Sequence, residues 1–170
     1  MKMHNHYMKN NMKRVLIATL MVALCAMITA CGTDDIDISG YENEAITLSG
    51  ITDQDVSLTI ADLKAMDCIT KSAESTSDKI GKVKATGPTL ETVLSQYGMS
   101  QSDLKSIKIY ARDDYDVKIS SDVLGEDTVI LAFGIDGKPL DEESAPLRIV
   151  IPGSDSAYWI RMVERIELTE

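Results

Sequence analysis

Thiol and imidazole side chains are the first candidates for chemistry in this chain, because they serve as nucleophiles, general bases and metal ligands. The chain has three cysteines, Cys25, Cys31 and Cys68, and two histidines, His4 and His6. Both histidines and Cys25 lie within the first 30 residues. If those residues are removed, no histidine remains, which excludes Ser-His-Asp and Cys-His catalysis and zinc binding through imidazole.

The N-terminal segment has the pattern of a signal peptide. Residues 1–14 are polar and basic, and residues 15–30 form a largely apolar run that is short for a membrane span of roughly 20 residues. The run ends in Ile28-Thr29-Ala30-Cys31, which resembles the lipobox read by lipoprotein signal peptidase. We therefore predict a signal peptide over residues 1–30. The alternatives are an ordinary signal peptide, or an uncleaved anchor, with a cysteine there by chance.

Cys31 is then the predicted site of lipidation. Two or three acyl chains, such as palmitate, anchor a protein firmly, so the chain is expected at the extracytoplasmic face of a cell membrane, with that membrane as its partner. Cys68 would be the only thiol left after processing, which excludes an internal disulfide bond.

The charge of the chain is unevenly distributed. The formal net charge is -10, but residues 1–30 contain four basic residues and no acidic one, so residues 31–170 carry -14. A domain this acidic repels phosphate backbones, and we predict that it does not bind nucleic acid. The hydrophobic content of 44% is too high for a disordered chain.

The elements that would position any functional residue begin after an acidic, glycine-containing stretch, residues 31–44, which we interpret as a solvated tether. A calcium site there is disfavoured because no D-x-D-x-D-G spacing is present. Residues 45–170 alternate in the manner of short strands, with helices at 62–66 and 90–97. We predict a strand-dominant α+β domain with mixed sheets and a few short helices. The predicted strands are 45–49, 56–60, 68–75, 82–85, 107–111, 115–119, 129–135, 147–151 and 160–168, with a helical turn at 102–104 and turns at 112–114, 122–124 and 136–137.

Two blocks of the domain are the most specific. Residues 130–140 read ILAFGIDGKPL, and residues 145–153 read APLRIVIPG. They are similar to the LLAYeMNGqPL and fPvRvvvPG blocks of the oxidoreductase molybdopterin-binding domain, which has the sulfite oxidase-like catalytic fold. Weaker likenesses carry the resemblance over residues 45–170, at 46–50, 58–63, 84–90, 115–119 and 161–168. The resemblance implies that fold and, for active members, a molybdopterin cofactor.

The resemblance also implies where a metal ligand should stand. Catalytic members of the family bind molybdenum through a cysteine thiolate, a soft ligand for a soft metal centre. In this chain Ser75 falls nearest that position, and a serine hydroxyl is harder and stays protonated at neutral pH. Cys68 lies about seven residues earlier, and an odd offset along a strand turns a side chain to the opposite face. We interpret Cys68 as a structural thiol, with a displaced metal ligand as the alternative.

Other family positions are changed as well. Glu143 stands where the family has a histidine, and Lys118 where it has a serine. Like charge would set Glu143 against the pyrophosphate of a pterin. Asp113, Asp114 and Asp116 form an acidic cluster that we interpret as solvated loop residues.

Tyr115 aligns with the family's active-site tyrosine, and Arg112, Arg148 and Arg161 retain positive charge. With Ser75, the three arginines are the predicted cofactor-binding residues and could line an anion pocket. The alternatives are that Arg148 and Arg161 bind carboxylates of their own sheet and that Tyr115 packs across strands. Trp159 either stacks on a ligand or covers the edge of the core.

Two functions follow from these residues. The first is a non-catalytic lipoprotein that binds a small ligand or a partner protein in a degenerate molybdopterin-binding-type domain, without cofactor. The second is a molybdopterin-dependent oxidoreductase of the sulfite oxidase-like family, acting alone or with a partner subunit. An unrelated β-rich substrate-binding lipoprotein is a third possibility.

Overall fold

The computed structural model describes residues 35–51, 53–77, 81–126 and 128–170. The predicted signal peptide and Cys31 lie outside the described residues. Residues 33–170 form one compact unit. Within the described ranges, no helix is both long enough and apolar enough to cross a membrane.

A five-stranded sheet organises the first half of the fold and its C-terminus. Its order is β2-β1-β11-β5-β6, and the central pair, β1 and β11, is parallel while the other neighbours are antiparallel. Period-two alternation places Ile46, Leu48 and Ile166 on the buried face. The strands are β1 Ala45–Ser49, β2 Val56–Thr59, β5 Ser106–Ala111, β6 Asp116–Ser120 and β11 Val163–Thr169.

A four-stranded sheet and a two-stranded sheet complete the strands. The larger one, in the order β3-β4-β8-β9, contains β3 Cys68–Ala73, β4 Val83–Pro88, β8 Gly134–Ile135 and β9 Lys138–Pro139. The smaller one pairs β7 Ile130–Ala132 with β10 Arg148–Val150.

The prediction of one continuous strand over residues 129–135 is wrong. The chain changes sheets at Phe133, whose N–H donates to the Thr86 carbonyl at 3.0 Å, so β7 pairs with β10 and β8 pairs with β4. Alternation alone could not show this, because every residue from Val129 to Phe133 is buried. The predicted tight turn at 136–137 is confirmed, with positive φ angles at Asp136 and Gly137.

Three short α-helices lie in the described residues: α1 Ile60–Lys64, α2 Leu90–Ser95 and α3 Ser121–Glu126. Thr59 and Asp62 form a capping box at α1, and Thr89 caps α2 as predicted. At residues 122–124 the predicted turn is wrong, because the chain there is helical. Its buried Leu124 has too few apolar neighbours in sequence to show a helical period.

Two hydrophobic clusters form the core. The large one lies against the five-stranded sheet and includes Ile46, Leu63 and Phe133. The small one lies against the four-stranded sheet and consists of Ala73, Ala85, Ile130, Ala132, Val150 and Trp159.

The interpretation of residues 31–44 as a solvated tether is wrong for the part that the structure describes. Ile36, Ile38 and Tyr41 are 1%, 4% and 7% exposed and belong to the large cluster. The Tyr41 hydroxyl donates to the Phe133 carbonyl at 2.6 Å and accepts from the Leu140 N–H at 2.9 Å. The acidic residues conceal this packing, since they alternate with the buried isoleucines and face outward.

Replacing Tyr41 by phenylalanine tests this docked segment. Loss of the hydroxyl leaves the buried Leu140 N–H without its acceptor, so the free energy of unfolding should fall by about 1–3 kcal/mol. Urea unfolding measures the change, and Tyr97→Phe is the matched control because no hydrogen bond of the Tyr97 hydroxyl is found within the described residues. A solvated tether would leave both variants as stable as the parent.

Candidate functional site

One loop connects most of the residues that the sequence singles out. Residues 152–161, here called the cleft loop, run from the end of β10 to the start of β11. Gly153 has a φ of 82°, and Asp155 caps the short 3-10 helix Ser156–Tyr158 by accepting from the Ala157 N–H. The turn and the cap together give this irregular segment a defined path.

Trp159 holds the cleft loop on the small cluster. Its side chain is buried, with 4% exposure. The indole N–H donates to the Ile151 carbonyl at 2.9 Å and to Ser154 Oγ at 3.2 Å. Because its ring is packed and its only donor is satisfied, Trp159 covers the edge of the core, in agreement with the second of its two interpretations.

Ser75 lies beside the same loop, two residues after β3. Its hydroxyl donates to the Ser154 carbonyl at 3.2 Å and accepts from the Ser77 N–H at 3.0 Å. Backbone bonds from Gly153 to Glu74 and from Thr76 to Ser154 fasten the same two segments together. The hydroxyl proton of Ser75 is thus used within the protein, and the residue is a structural link between β3 and the cleft loop.

Cys68 is placed where it cannot substitute for a thiolate near Ser75. It is the first residue of β3, about 20 Å from Ser75 if the chain is extended between them. Its thiol points to the Leu63 carbonyl, and burial, together with the neighbouring Asp67, raises its pKa to about 11. The thiol is therefore neutral at physiological pH, whereas metal ligation requires the thiolate.

The described residues offer no alternative metal site either. Among the described residues, no three His, Cys, Asp or Glu side chains lie close enough together to hold a metal ion.

Arg148 lies at the cleft loop with one of its donors unsatisfied. Its guanidinium lies 5.9 Å from the centre of the Trp159 ring, and its Nε is buried without a hydrogen-bond partner. Burial lowers the pKa of Arg148, and the like charge of Arg161 lowers it further, whereas the charges of Asp141 and Asp136 act in the opposite direction. Within the described chain, no carboxylate forms an ion pair with it, so the predicted carboxylate partner in the sheet is not found. A buried donor without a partner is rare in folded proteins and suits an anionic ligand.

Arg148 also lines a cavity of about 330 Å³. Lys138 and Ser144 add donors to its wall, and Asp136 and Asp141 add carboxylates. Sequence reasoning did not single out Lys138 or Ser144: Lys138 stands within the 130–140 block without a role of its own, and Ser144 follows Glu143 in a loop.

Tyr115 and Arg161 line a neighbouring cavity of about 240 Å³ together with Asp113 and Trp159. The Tyr115 side chain is 47% exposed, and its hydroxyl lies 3.4 Å from the Ala157 carbonyl of the cleft loop. Arg161 approaches Glu143 at 3.7 Å in an exposed pair, which contributes little to stability. The tyrosine does not pack across strands, as its alternative interpretation proposed, but stands beside this cavity.

The side chain of Arg112 turns away from this group. It forms an ion pair with Glu44 and lines a third cavity, of about 490 Å³, with Tyr41 and Leu140. The prediction that Arg112 joins the other arginines is therefore not supported. Its position in a hairpin loop fixes where its backbone lies, whereas the side-chain direction depends on Glu44, a residue assigned to the tether.

The family model for the oxidoreductase molybdopterin binding domain matches residues 33–170. Among solved structures, the fold is similar to the sulfane dehydrogenase SoxCD from Paracoccus pantotrophus, with a TM-score of 0.60 and 19% identity. The match covers 81% of this chain and only 40% of that one. No curated protein matches the chain.

The predicted fold class, a strand-dominant α+β domain with mixed sheets, is confirmed by the strands of the structure and by a similar solved structure. The sheets are mixed and strands dominate the short helices, as the sequence pattern indicates. The similar solved structure has the same fold at an identity too low to say more than that. With a family model that matches four fifths of its length, the chain belongs to the oxidoreductase molybdopterin-binding domain family.

Proposed function

We propose that this chain is an extracytoplasmic lipoprotein, anchored to a cell membrane through Cys31, whose domain binds a small anionic ligand at the cleft loop without redox catalysis. Arg148 is the principal ligand-binding residue. Arg161 and Lys138 add positive charge, and Tyr115 forms part of the cavity wall beside Arg161.

The state of Ser75 carries this proposal. At the position where the family resemblance places a metal-binding cysteine, the chain has a hydroxyl that donates to the Ser154 carbonyl. A neutral oxygen already engaged with the backbone is a poor donor for a soft metal. Cys68 does not compensate, because its thiol is protonated and lies at the opposite end of β3. The residues present therefore do not fit a molybdenum centre.

The charge of the cleft supports an anion as the ligand. Arg161 repels the Arg148 guanidinium while Asp141 and Asp136 attract it, and the buried Nε of Arg148 has no hydrogen-bond partner. A carboxylate, sulfate or phosphate group would satisfy that donor and offset the repulsion. The rest of the domain is strongly acidic, so the arginines create a local site and not a basic surface.

A molybdopterin-dependent oxidoreductase is the second candidate. It is favoured by Tyr115, Arg148 and Arg161, which the resemblance identifies with family positions and which all lie along the cleft loop or against it. SoxCD, by its name, is a sulfane dehydrogenase, and this chain spans two fifths of that chain's length. Redox activity in this chain would require a metal ligand that Ser75 does not supply.

Anion binding by Arg148 is tested with inorganic phosphate and pyrophosphate, titrated calorimetrically at constant ionic strength with chloride as the reference. Arg148→Gln should weaken binding by at least about tenfold, because a hydrogen bond to a charged group contributes roughly 1.5–3 kcal/mol. Arg165→Gln is the matched control, since Arg165 stacks on Tyr110 in the five-stranded sheet and lines neither cavity of the cleft loop. Equal affinity in the Arg148 variant and the parent, or binding of neither anion by the parent, would contradict the proposal.

A further inference from the structure

We propose that the short linker of residues 31–35, here called the leash, keeps one defined end of the domain next to the membrane. This is the end with the β5–β6 hairpin loop, residues 112–115. The inference rests on the proposed lipid at Cys31. It assigns the surface that faces the bilayer, which the family relationship and the anchor by themselves leave open.

The chain is fixed to the domain from Ile36 onward. Ile36 is 1% exposed, and its carbonyl accepts a 2.7 Å hydrogen bond from Lys64 Nζ. Its side chain packs so tightly on β8 that a Cβ built on Gly134 would lie 2.3 Å from Ile36 Cδ1. With Ile38 and Tyr41 also buried, this segment is part of the folded domain.

The remaining leash is short compared with the domain. Ile36 is five positions after Cys31, so the chain between their Cα atoms spans at most about 18 Å when fully extended. A compact unit of about 140 residues has a radius of gyration of about 14 Å and hence a diameter of roughly 35–40 Å. Because the leash is about half that diameter, the domain cannot turn its opposite end to the bilayer.

The strand register identifies the end that the leash holds. Asp37, Ser39, Glu44 and Arg112 line a single cavity, so the docked segment lies beside the hairpin loop. β1 then runs away from this end, and its last residue, Ser49, is opposite Glu167. By the same register the far end of the sheet contains three other strand termini, Ser106, Ser120 and Thr169.

The orientation has a consequence for the site. The cavity lined by Tyr115 and Arg161 lies at the hairpin-loop end, so its ligand would bind close to the membrane surface. Exposed carboxylates such as Asp37 and Asp113 oppose close contact with anionic lipid. The domain is thus oriented by its covalent leash and not by attraction to head groups, and it faces the bilayer without inserting.

Fluorescence resonance energy transfer, from a fluorophore on the domain to a lipid labelled at its head group, tests this orientation. The full chain, made in its own host with Cys68→Ala, would carry a fluorophore on Ser39→Cys at the near end or on Ser120→Cys at the far end. Both serines are exposed, so neither substitution disturbs the core. The purified lipoproteins are reconstituted into phosphatidylcholine vesicles. A second pair has a flexible linker of about 20 residues inserted after Gly32, with an r.m.s. length of about 25 Å.

We expect the near-end fluorophore to be quenched several-fold more than the far-end one, and the inserted linker to bring the two close to equality. Equal quenching with the native leash, in protein that floats with the vesicles, would overturn the orientation and leave the anchored lipoprotein intact. Failure of the protein to float with the vesicles would overturn both proposals, since no anchor would then exist.

Discussion

Replacing Gly87 by alanine is expected to destabilise the protein by at least about 3 kcal/mol, beyond the 1–3 kcal/mol typical of an overpacked side chain. A Cβ at this position would lie 2.0 Å from the Leu131 carbonyl oxygen and 2.8 Å from its carbon. Both are backbone atoms of β7, so no rotamer change relieves the overlap. Urea unfolding measures the loss, and a chain that no longer folds is the extreme form of the same result.

The close approach at Gly87 matters for the site as well as for the fold. Strand β4 pairs with β3, which leads to Ser75, and at Gly87 it packs closely against β7, whose partner β10 carries Arg148. Separating β4 from β7 would therefore move Ser75 and Arg148 apart. Gly40→Ala is the matched control, because no atom lies within 4 Å of a Cβ built there. If Gly87→Ala were as stable as Gly40→Ala, the packing of β4 on β7 would be wrong.

Truncating Trp159 should be almost as damaging. The change to alanine leaves a cavity beneath the cleft loop, with an expected cost of about 3–5 kcal/mol. The change to phenylalanine keeps most of the volume but leaves the Ile151 carbonyl without its indole donor, at about 1–3 kcal/mol. Thermal or urea unfolding of the two variants separates the contribution of packing from that of the hydrogen bond.

The same pair of variants distinguishes a core residue from a ligand platform. If Trp159 mainly stacked on a ligand, its loss would reduce anion binding while leaving the free energy of unfolding nearly unchanged. For the phenylalanine variant we expect the opposite outcome. Its stability should fall, and its anion affinity should stay close to that of the parent, because an aromatic ring is kept beside Arg148.

Much of the fold could be predicted because its strands are short and clearly alternating. Thr89 with Gly98, and Asp136 with Gly137, are local signals that mark the ends of elements whatever the tertiary context. The failures occur where tertiary context decides. Phe133 lies in an unbroken buried run, so the switch between sheets has no sequence signature. Ile36 and Ile38 are separated by Asp37, and an alternation of only two apolar residues is too short to predict burial in so acidic a stretch.

The candidate site was predictable in part for a similar reason. The family resemblance placed Ser75, Tyr115, Arg148 and Arg161, and the structure brings all four to the cleft loop or its cavities. It could not place the Arg112 side chain, whose partner Glu44 lies 68 positions away in sequence. Nor could it reveal that Ser154 joins Ser75 to Trp159, because that link runs through a backbone carbonyl and a loop hydroxyl.

The most direct test of the central claim is the metal content of the protein purified from its own host. Elemental analysis should find molybdenum and tungsten at the level of an unrelated lipoprotein prepared in the same way. Ser75→Cys is the matched variant, since it restores the thiol at the position where the hydroxyl now donates to Ser154. Metal-free parent protein is the result that the Ser75 geometry predicts. Stoichiometric molybdenum or tungsten in the parent would contradict it and establish the oxidoreductase as the function.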